Sequence, residues 1–141
     1  MAYLTALEIG THLYGEVVNE IERSPTESNN LNFAIIAAIE EAKGYLTAYD
    51  IVAIFAAVGD ARNPILLLYI KDITVWHFIQ LGNPGVEMSL RLDRYEKATK
   101  WLEKVQSGKT NPSLPYPSAP PVEAANNYIK WGGNVKRNNN F

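Results

Sequence analysis

The chain has 141 residues, of which 47% are hydrophobic and 20% are charged, and its formal net charge is -2 at pH 7. Such a chain fits one globular domain that buries roughly two-thirds of its unfolded surface, and the near-neutral charge excludes a nucleic-acid binder with a broad basic face. The chain has no cysteine and 2 histidines, which excludes disulfides and thiolate chemistry and argues against a histidine-built metal centre.

The N-terminal part of the chain predicts two short helices. Thr5 and Glu8 have the spacing of a capping box, and the apolar positions that follow have an imperfect helical period. We expect a first short helix, a turn, and a second short helix from about Gly15 to Arg23, which Pro25 ends. No basic region followed by an apolar core opens the chain, so we expect a soluble intracellular protein without a membrane span.

The next segment has a clean helical period. From about Asn30 to Ala48 the apolar residues form one stripe, while Glu40, Glu41 and Lys43 lie on or near the other side. This pattern predicts an amphipathic helix.

The most apolar segment of the chain predicts a central helix. Asp50 is a candidate cap for a short helix that continues to about Val58, and Pro64 suits the first turn of the helix after it. In the segment from Pro64 to Leu81 the polar residues scatter around the circumference, so no wide solvent face remains and other helices are expected to surround it.

The last predicted helix has a different character. It runs from about Glu87 to Ser107, with one apolar stripe and many charges of both signs, which is typical of a solvated outer face. No segment has convincing strand alternation. We therefore predict an all-α fold for residues 1–108, a small bundle of about four to five helices around a long buried central helix.

Residues 109–141 have a different composition from the helical domain. The stretch NPSLPYPSAPP is rich in proline and predicts an extended C-terminal arm. Since such an extension cannot bury itself, we expect a neighbouring chain to hold it as an assembly arm. Its candidate anchors are its aromatic and large apolar residues, Tyr116, Tyr128, Ile129, Trp131 and Phe141.

Four residues are expected in the structural core, namely Asp72, Trp76, His77 and Trp101. Asp72 lies on the most apolar arc of its helix, beside Ile65 and Leu68, where a lone carboxylate needs a cation or several donors. Its candidate partners are Arg62, Arg94, Lys97 and the indole N–H of Trp76 or Trp101. We interpret Asp72 as a residue that fixes the helix register, with a general base as the alternative.

We expect no catalytic, cofactor or metal site. His77 has no second metal ligand three or four residues away, so a hydrogen-bonded core or interface histidine is the better interpretation. A small enzyme would have to combine Asp72 with His77, whose side chains point about 140° apart on a helix.

A small DNA-binding or regulatory module is the second alternative. It would use the basic residues of the last helix, which are Arg91, Arg94, Lys97, Lys100 and Lys104. Acidic residues interleave with them, which weakens this interpretation.

Four stretches, in this order, carry a resemblance to a known family: MAYLT, AIEEAKGYL, NPILLLYIKDITVWHFIQLGNP and RYEKATKWLEKVQSGK. Together they resemble the head–tail connector proteins of tailed phages, a group of small head-completion, adaptor and neck proteins that includes Mu-like prophage members. The resemblance covers roughly residues 1 to 110 and leaves the C-terminal arm outside it.

The resemblance implies a structural virion protein without catalytic activity and without a cofactor. Members of this family form a homo-oligomeric ring, twelvefold by the resemblance, that binds the portal protein and other neck or tail-completion proteins. DNA passes through the lumen without sequence-specific binding. The implied location is the head–tail junction of the virion, and the host cytoplasm during assembly.

Overall fold

The computed structural model describes residues 2–13, 15–21, 29–81 and 88–118, and all secondary structure within these ranges is helical. In chain order the elements are a 3-10 helix (Ala6–Thr11), α1 (Gly15–Ile21), α2 (Asn30–Tyr45), α3 (Ile51–Ala56), a 3-10 turn (Gly59–Ala61), α4 (Pro64–Ile79) and α5 (Met88–Gln106). The predicted all-α fold class is confirmed.

Polar side chains fix the starts of α3 and α4. The Asp50 carboxylate accepts a hydrogen bond from the Ala53 N–H at 3.0 Å, as expected for a cap. The Asn63 side chain caps α4 by accepting from its first free N–H groups, and Pro64 occupies the first turn, where its missing N–H costs nothing. The Asn63 cap had not been predicted.

The end of α2 comes three residues earlier than the sequence pattern predicts. The helix stops at Tyr45, and the backbone then turns so that Leu46 and Tyr49 are both buried. In a continued helix these two side chains would also share one face, about 60° apart, so their burial does not by itself explain where α2 ends. The Asp50 N–H, which would bond the Leu46 carbonyl oxygen in a continued helix, instead donates to the carbonyl oxygen of the distant residue Pro115. Tertiary packing therefore overrides the local helical period here.

The core is built around α4, which packs against both α2 and α5. Tyr69 packs on Trp101 and Trp76 stacks on Tyr95, with ring centroids 5.0 and 5.6 Å apart. The earlier residue of α4 thus meets the later residue of α5, and the later residue of α4 meets the earlier one of α5. The two helices therefore run antiparallel. The buried apolar residues of α4 are Leu66, Ile70, Ile73, Val75, Phe78 and Ile79.

The first two turns of α4 are less covered than the rest of the helix. Ile79 is fully buried, whereas Ile65 and Leu68, on the same arc, are 52% and 47% exposed. The expectation that these two residues flank Asp72 in the core is therefore wrong. One turn beyond Leu68 on this arc, Asp72 contacts His12 of the N-terminal segment.

The described part of the C-terminal arm lies against the helical domain. Leu114 is buried, and the Asp50 N–H donates to the Pro115 carbonyl oxygen at 2.9 Å. The Asn63 amide nitrogen donates to the Ser113 carbonyl oxygen at 3.2 Å. Residues 109–118, which we name the arm root, are thus held at the starts of α3 and α4.

Tyr116 packs within its own chain. Its ring stacks on Tyr49, with centroids 5.1 Å apart and planes 24° apart, yet it is 65% exposed. That Tyr116 anchors the arm on a neighbouring chain stays a prediction. The other four predicted anchors, Tyr128, Ile129, Trp131 and Phe141, lie outside the described residues. None of the described helices has the length and apolar composition needed to cross a membrane.

Candidate functional site

A polar network joins α2, α4 and α5. The Tyr95 hydroxyl donates to the Glu41 carboxylate at 2.6 Å, and His77 Nε2 lies 2.7 Å from the other carboxylate oxygen. Burial, and then the hydrogen bond to Glu41, raise the pKa of Tyr95 well above its usual range, so this hydroxyl remains a donor at physiological pH. The network fastens the three longest helices to one another.

The four residues expected in the structural core all lie at its margin. Asp72, Trp76, His77 and Trp101 are each partly buried, and the two tryptophans pack against the fully buried cluster. His77 has the hydrogen-bonded carboxylate partner that suits a structural histidine. Asp72 and His77, which an enzyme would have to combine, contact different neighbours, His12 and Glu41 respectively.

Arg62, a candidate partner of Asp72, binds the N-terminal segment instead. Its guanidinium donates to a Glu8 carboxylate oxygen and to the Tyr3 carbonyl oxygen, each at 2.7 Å. The hydrogen bond from Arg62, followed by the one from the Thr5 backbone N–H, lowers the pKa of Glu8 to about 2. The Glu8 carboxylate therefore ties the capping interaction at Thr5 to the loop before α4.

Asp72 faces a group of basic residues. Burial raises the pKa of Asp72 above its usual value, and the positive charges of Arg94 and Arg91 oppose that rise. His12 Nε2 lies 3.6 Å from the Asp72 carboxylate. Burial and the neighbouring cations lower the pKa of His12, so the ring is uncharged at neutral pH and this contact is not an ion pair.

A cavity of about 260 Å³ opens beside this group, and we name it the arginine cavity. Its lining residues are Gly10, Thr11, His12, Leu13, Arg91 and Arg94. The Arg91 Nη1 atom is buried and has no hydrogen-bond partner in the described part of the chain. Lys71 Nζ donates to the Thr11 hydroxyl at 3.2 Å, which holds a further cation near the cavity. The cavity is therefore polar and positively charged.

The basic residues of α5 have different neighbours. Arg91 and Arg94 line the arginine cavity, while Lys97 pairs with Asp93 at 2.9 Å. The basic side chains of α5 therefore have different surroundings, a cavity in one case and an ion pair in the other.

Several large apolar side chains remain on the surface of the helical domain. The most exposed, from 47% to 93%, are Leu7, Phe33, Ile36, Val52, Ile65, Leu68 and Leu81. Phe33 and Ile36 are three residues apart on the outer face of α2, and Ile65 and Leu68 are three apart on α4, so each pair forms a local apolar patch. Exposed apolar patches are candidate contact surfaces for other chains.

Sequence reasoning missed three of the residues that organise these sites. Glu41 was expected on or near the polar side of α2, but it faces α4 and α5. A signal existed, because Ala38 and Tyr45, three and four residues away, belong to the apolar stripe. No local pattern pointed to His12 and Arg91 as neighbours, because they meet only through tertiary packing.

Among the residues that the structure describes, no group of three or more His, Asp or Glu side chains is placed to hold a metal ion. Comparisons with protein-family models, with curated protein sequences and with solved structures find no match to this chain. The resemblance to phage neck proteins therefore rests on the four quoted stretches of sequence.

Proposed function

We propose that this protein is a structural component of the tailed-phage neck, where it forms a ring that joins the portal and head to the tail and lets DNA pass. The observation that carries the proposal is the pair of apolar patches on α2 and α4 of a domain whose core is already well packed. Side chains of this kind become buried when a subunit assembles with copies of itself.

The patch on α4 illustrates the energetic argument. Ile65 and Leu68 are each about half exposed. Covering a half-exposed aliphatic side chain contributes on the order of 1 kcal/mol. In a ring each subunit makes this contact with its neighbours, so modest contributions add up around the assembly and favour the closed state.

The arm root gives a second line of support. Residues 109–118 are fastened to the starts of α3 and α4. A proline-rich segment has few unfolded conformations to lose, so it can order on a neighbour at a lower entropic cost than a glycine-rich one. We propose that the aromatic and large apolar residues of the arm anchor it on an adjacent subunit, with Trp131 as the main anchor beside Tyr116, Tyr128, Ile129 and Phe141.

The test is a mass measurement of the purified full chain, alone and mixed with the portal protein, by light scattering after gel filtration. We expect a ring-sized oligomer or, on mixing, a complex with the portal. Leu68→Glu should reduce the assembled fraction and leave the helical circular dichroism unchanged. Gln106→Glu adds the same charge at an exposed position of α5 and should assemble normally. A wild-type monomer that binds no portal would refute the proposal.

A further inference from the structure

The arginine cavity has an unbalanced charge. Lys71, Arg91 and Arg94 all act electrostatically on the His12 ring at the cavity wall, and Asp72 faces the two arginines from α4. With His12 neutral, these three cations and one carboxylate leave an excess of two positive charges among them. Arg94 repels the charged form of Arg91, and Asp72 offsets this only in part, so the charges among these described residues are not balanced within the group.

One donor of a residue that lines the cavity lacks an acceptor among the described residues. Arg91 Nη1 is buried without a hydrogen-bond partner among the residues described, although the guanidinium is a strong donor. Folded proteins leave few buried donors unmatched, and each exception points to a bound ion, a water molecule or a function. An anion that enters the cavity would offset the charge excess, and it would reach the Arg91 Nη1 donor once the guanidinium turns toward the cavity.

We propose that the arginine cavity binds a phosphate group, either as inorganic phosphate or as the terminal phosphate of a phosphomonoester. Guanidinium groups pair with phosphate oxygens through two parallel hydrogen bonds. A terminal phosphate carries about -1.5 to -2 charges at pH 7, which matches the excess, whereas a carboxylate supplies a single charge.

The size of the cavity limits what can enter it. Its volume of about 260 Å³ is below the range of roughly 300–1,000 Å³ that is typical of sites for drug-sized molecules. The phosphate itself therefore occupies the cavity, and the remainder of a phosphomonoester stays outside. Thr11 and His12 also line the cavity and add to its polar character.

The first experiment measures thermal unfolding of the full-length protein in increasing sodium phosphate, with sodium chloride keeping the ionic strength constant. A ligand that binds only the folded state raises Tm by mass action, so we expect a rise that saturates. Phosphate also stabilises folded proteins generally by exclusion from their surface. The decisive quantity is therefore the difference between wild type and variants.

Arg91→Gln and Arg94→Gln should each weaken phosphate binding at least tenfold and remove most of the saturable rise in Tm. Lys104→Gln removes one positive charge near the other end of α5 and should respond as wild type does. Arg91→Gln removes an unmatched buried group, so the variant is expected to fold in the absence of phosphate. Arg94 is exposed, which makes Arg94→Gln an independent test should the first variant unfold.

Titration calorimetry then identifies the source of the phosphate. Tighter binding of a nucleoside 5′-monophosphate than of inorganic phosphate supports a phosphomonoester ligand, and binding of inorganic phosphate alone supports the free ion. Equal responses of wild type, Arg91→Gln and Arg94→Gln would overturn the proposal, as would binding of acetate as tight as that of phosphate. These outcomes do not depend on ring formation.

Discussion

The Glu41 carboxylate accepts a hydrogen bond from the Tyr95 hydroxyl and contacts the His77 ring, so one side chain connects three helices. Hydrogen bonds to charged groups contribute about 1.5–3 kcal/mol, and the 23% exposure of the Glu41 side chain lets water replace part of a lost bond. We expect Tyr95→Phe to lower the free energy of unfolding by about 1–2 kcal/mol, measured by denaturant titration.

Tyr45→Phe is the matched control for this change. Tyr45 is also partly buried, but its hydroxyl has no hydrogen-bond partner in the described part of the structure. The variant should change the free energy of unfolding by less than about 0.5 kcal/mol. Equal losses in both variants would mean that the bond from Tyr95 to Glu41 contributes no special stability.

Glu8 makes the stability of the fold depend on acid pH. Its pKa falls from 4.5 to about 2 on folding, first through the hydrogen bond from Arg62. A carboxyl group whose pKa falls on folding stabilises the protein above its unfolded pKa, and that stabilisation is lost as the pH falls through its folded pKa. The stability advantage of wild type over Glu8→Gln should therefore be full at neutral pH and shrink between pH 4.5 and about 2.

Denaturant titrations of wild type and Glu8→Gln at neutral pH and near pH 3 would measure this difference. Arg62→Gln should reduce the same pH dependence, because it removes the main cause of the pKa change. An advantage that stays constant over this range would show that the bond between Arg62 and Glu8 does not form in solution.

The surroundings of Asp72 show how far single residues can be predicted from sequence. From its position on an apolar arc of α4, Asp72 was expected in the core with positive charge nearby; it lies partly buried at the margin of the core, and Arg94 provides positive charge. Arg62 was an equally good candidate from its sequence position, yet it pairs with Glu8. Which arginine reaches Asp72 depends on how the N-terminal segment packs, and no local pattern reports that.

At the level of elements, the helix starts were easier to predict than the ends. Asp50 and Pro64 marked the starts of α3 and α4 because caps and first-turn prolines act through bonds to the nearest residues. The end of α2 at Tyr45 is followed by a backbone hydrogen bond from Asp50 to Pro115, a contact between residues far apart in the sequence that no local pattern reports.

The packing of α4 against α5 gives an element-scale prediction. Trp76 stacks on Tyr95 and packs against the buried cluster, so Trp76→Ala should cost about 3 kcal/mol, the lower end for large aromatic residues because the ring is only partly buried. Lys104→Ala, at an exposed position of α5, should cost less than about 0.5 kcal/mol. The reverse order in denaturant titrations would contradict the packing of α4 on α5.

The arm root gives a second prediction at this scale. Leu114 is buried against the starts of α3 and α4, so Leu114→Ala should lower the free energy of unfolding by about 2 kcal/mol. Ser113→Ala is a suitable control, since it leaves the carbonyl oxygen that Asn63 binds in place. A negligible effect of Leu114→Ala would mean that residues 109–118 are detached from the domain in solution.

At the level of the whole molecule, the arm root changes where the chain should be cut to test assembly. A chain that ends at Gly108 loses Leu114 and the bond from Asp50 to Pro115, so its folding and its assembly change together. A chain that ends at Ser118 keeps both contacts. We expect the chain that ends at Ser118 to keep the wild-type Tm and to show weaker oligomer formation or portal binding, as measured by light scattering.

The complementary control for the chain that ends at Ser118 is the full chain with Trp131→Ala. This variant alters one candidate anchor and leaves the length unchanged. A chain ending at Ser118 that assembles as well as the full chain would remove residues 119–141 from the proposed interface. The apolar patches on α2 and α4 would then be the surfaces to test next.

The bond between the Asp50 N–H and the Pro115 carbonyl also sets an order of events during synthesis. Helix α3 has 6 residues, fewer than the roughly 12–15 that make even a good isolated helix marginally stable in water. As the chain leaves the ribosome, α3 emerges well before the segment that covers its start. Until Pro115 follows, this partner of the Asp50 amide is missing, and we expect α3 to become ordered late in the nascent protein.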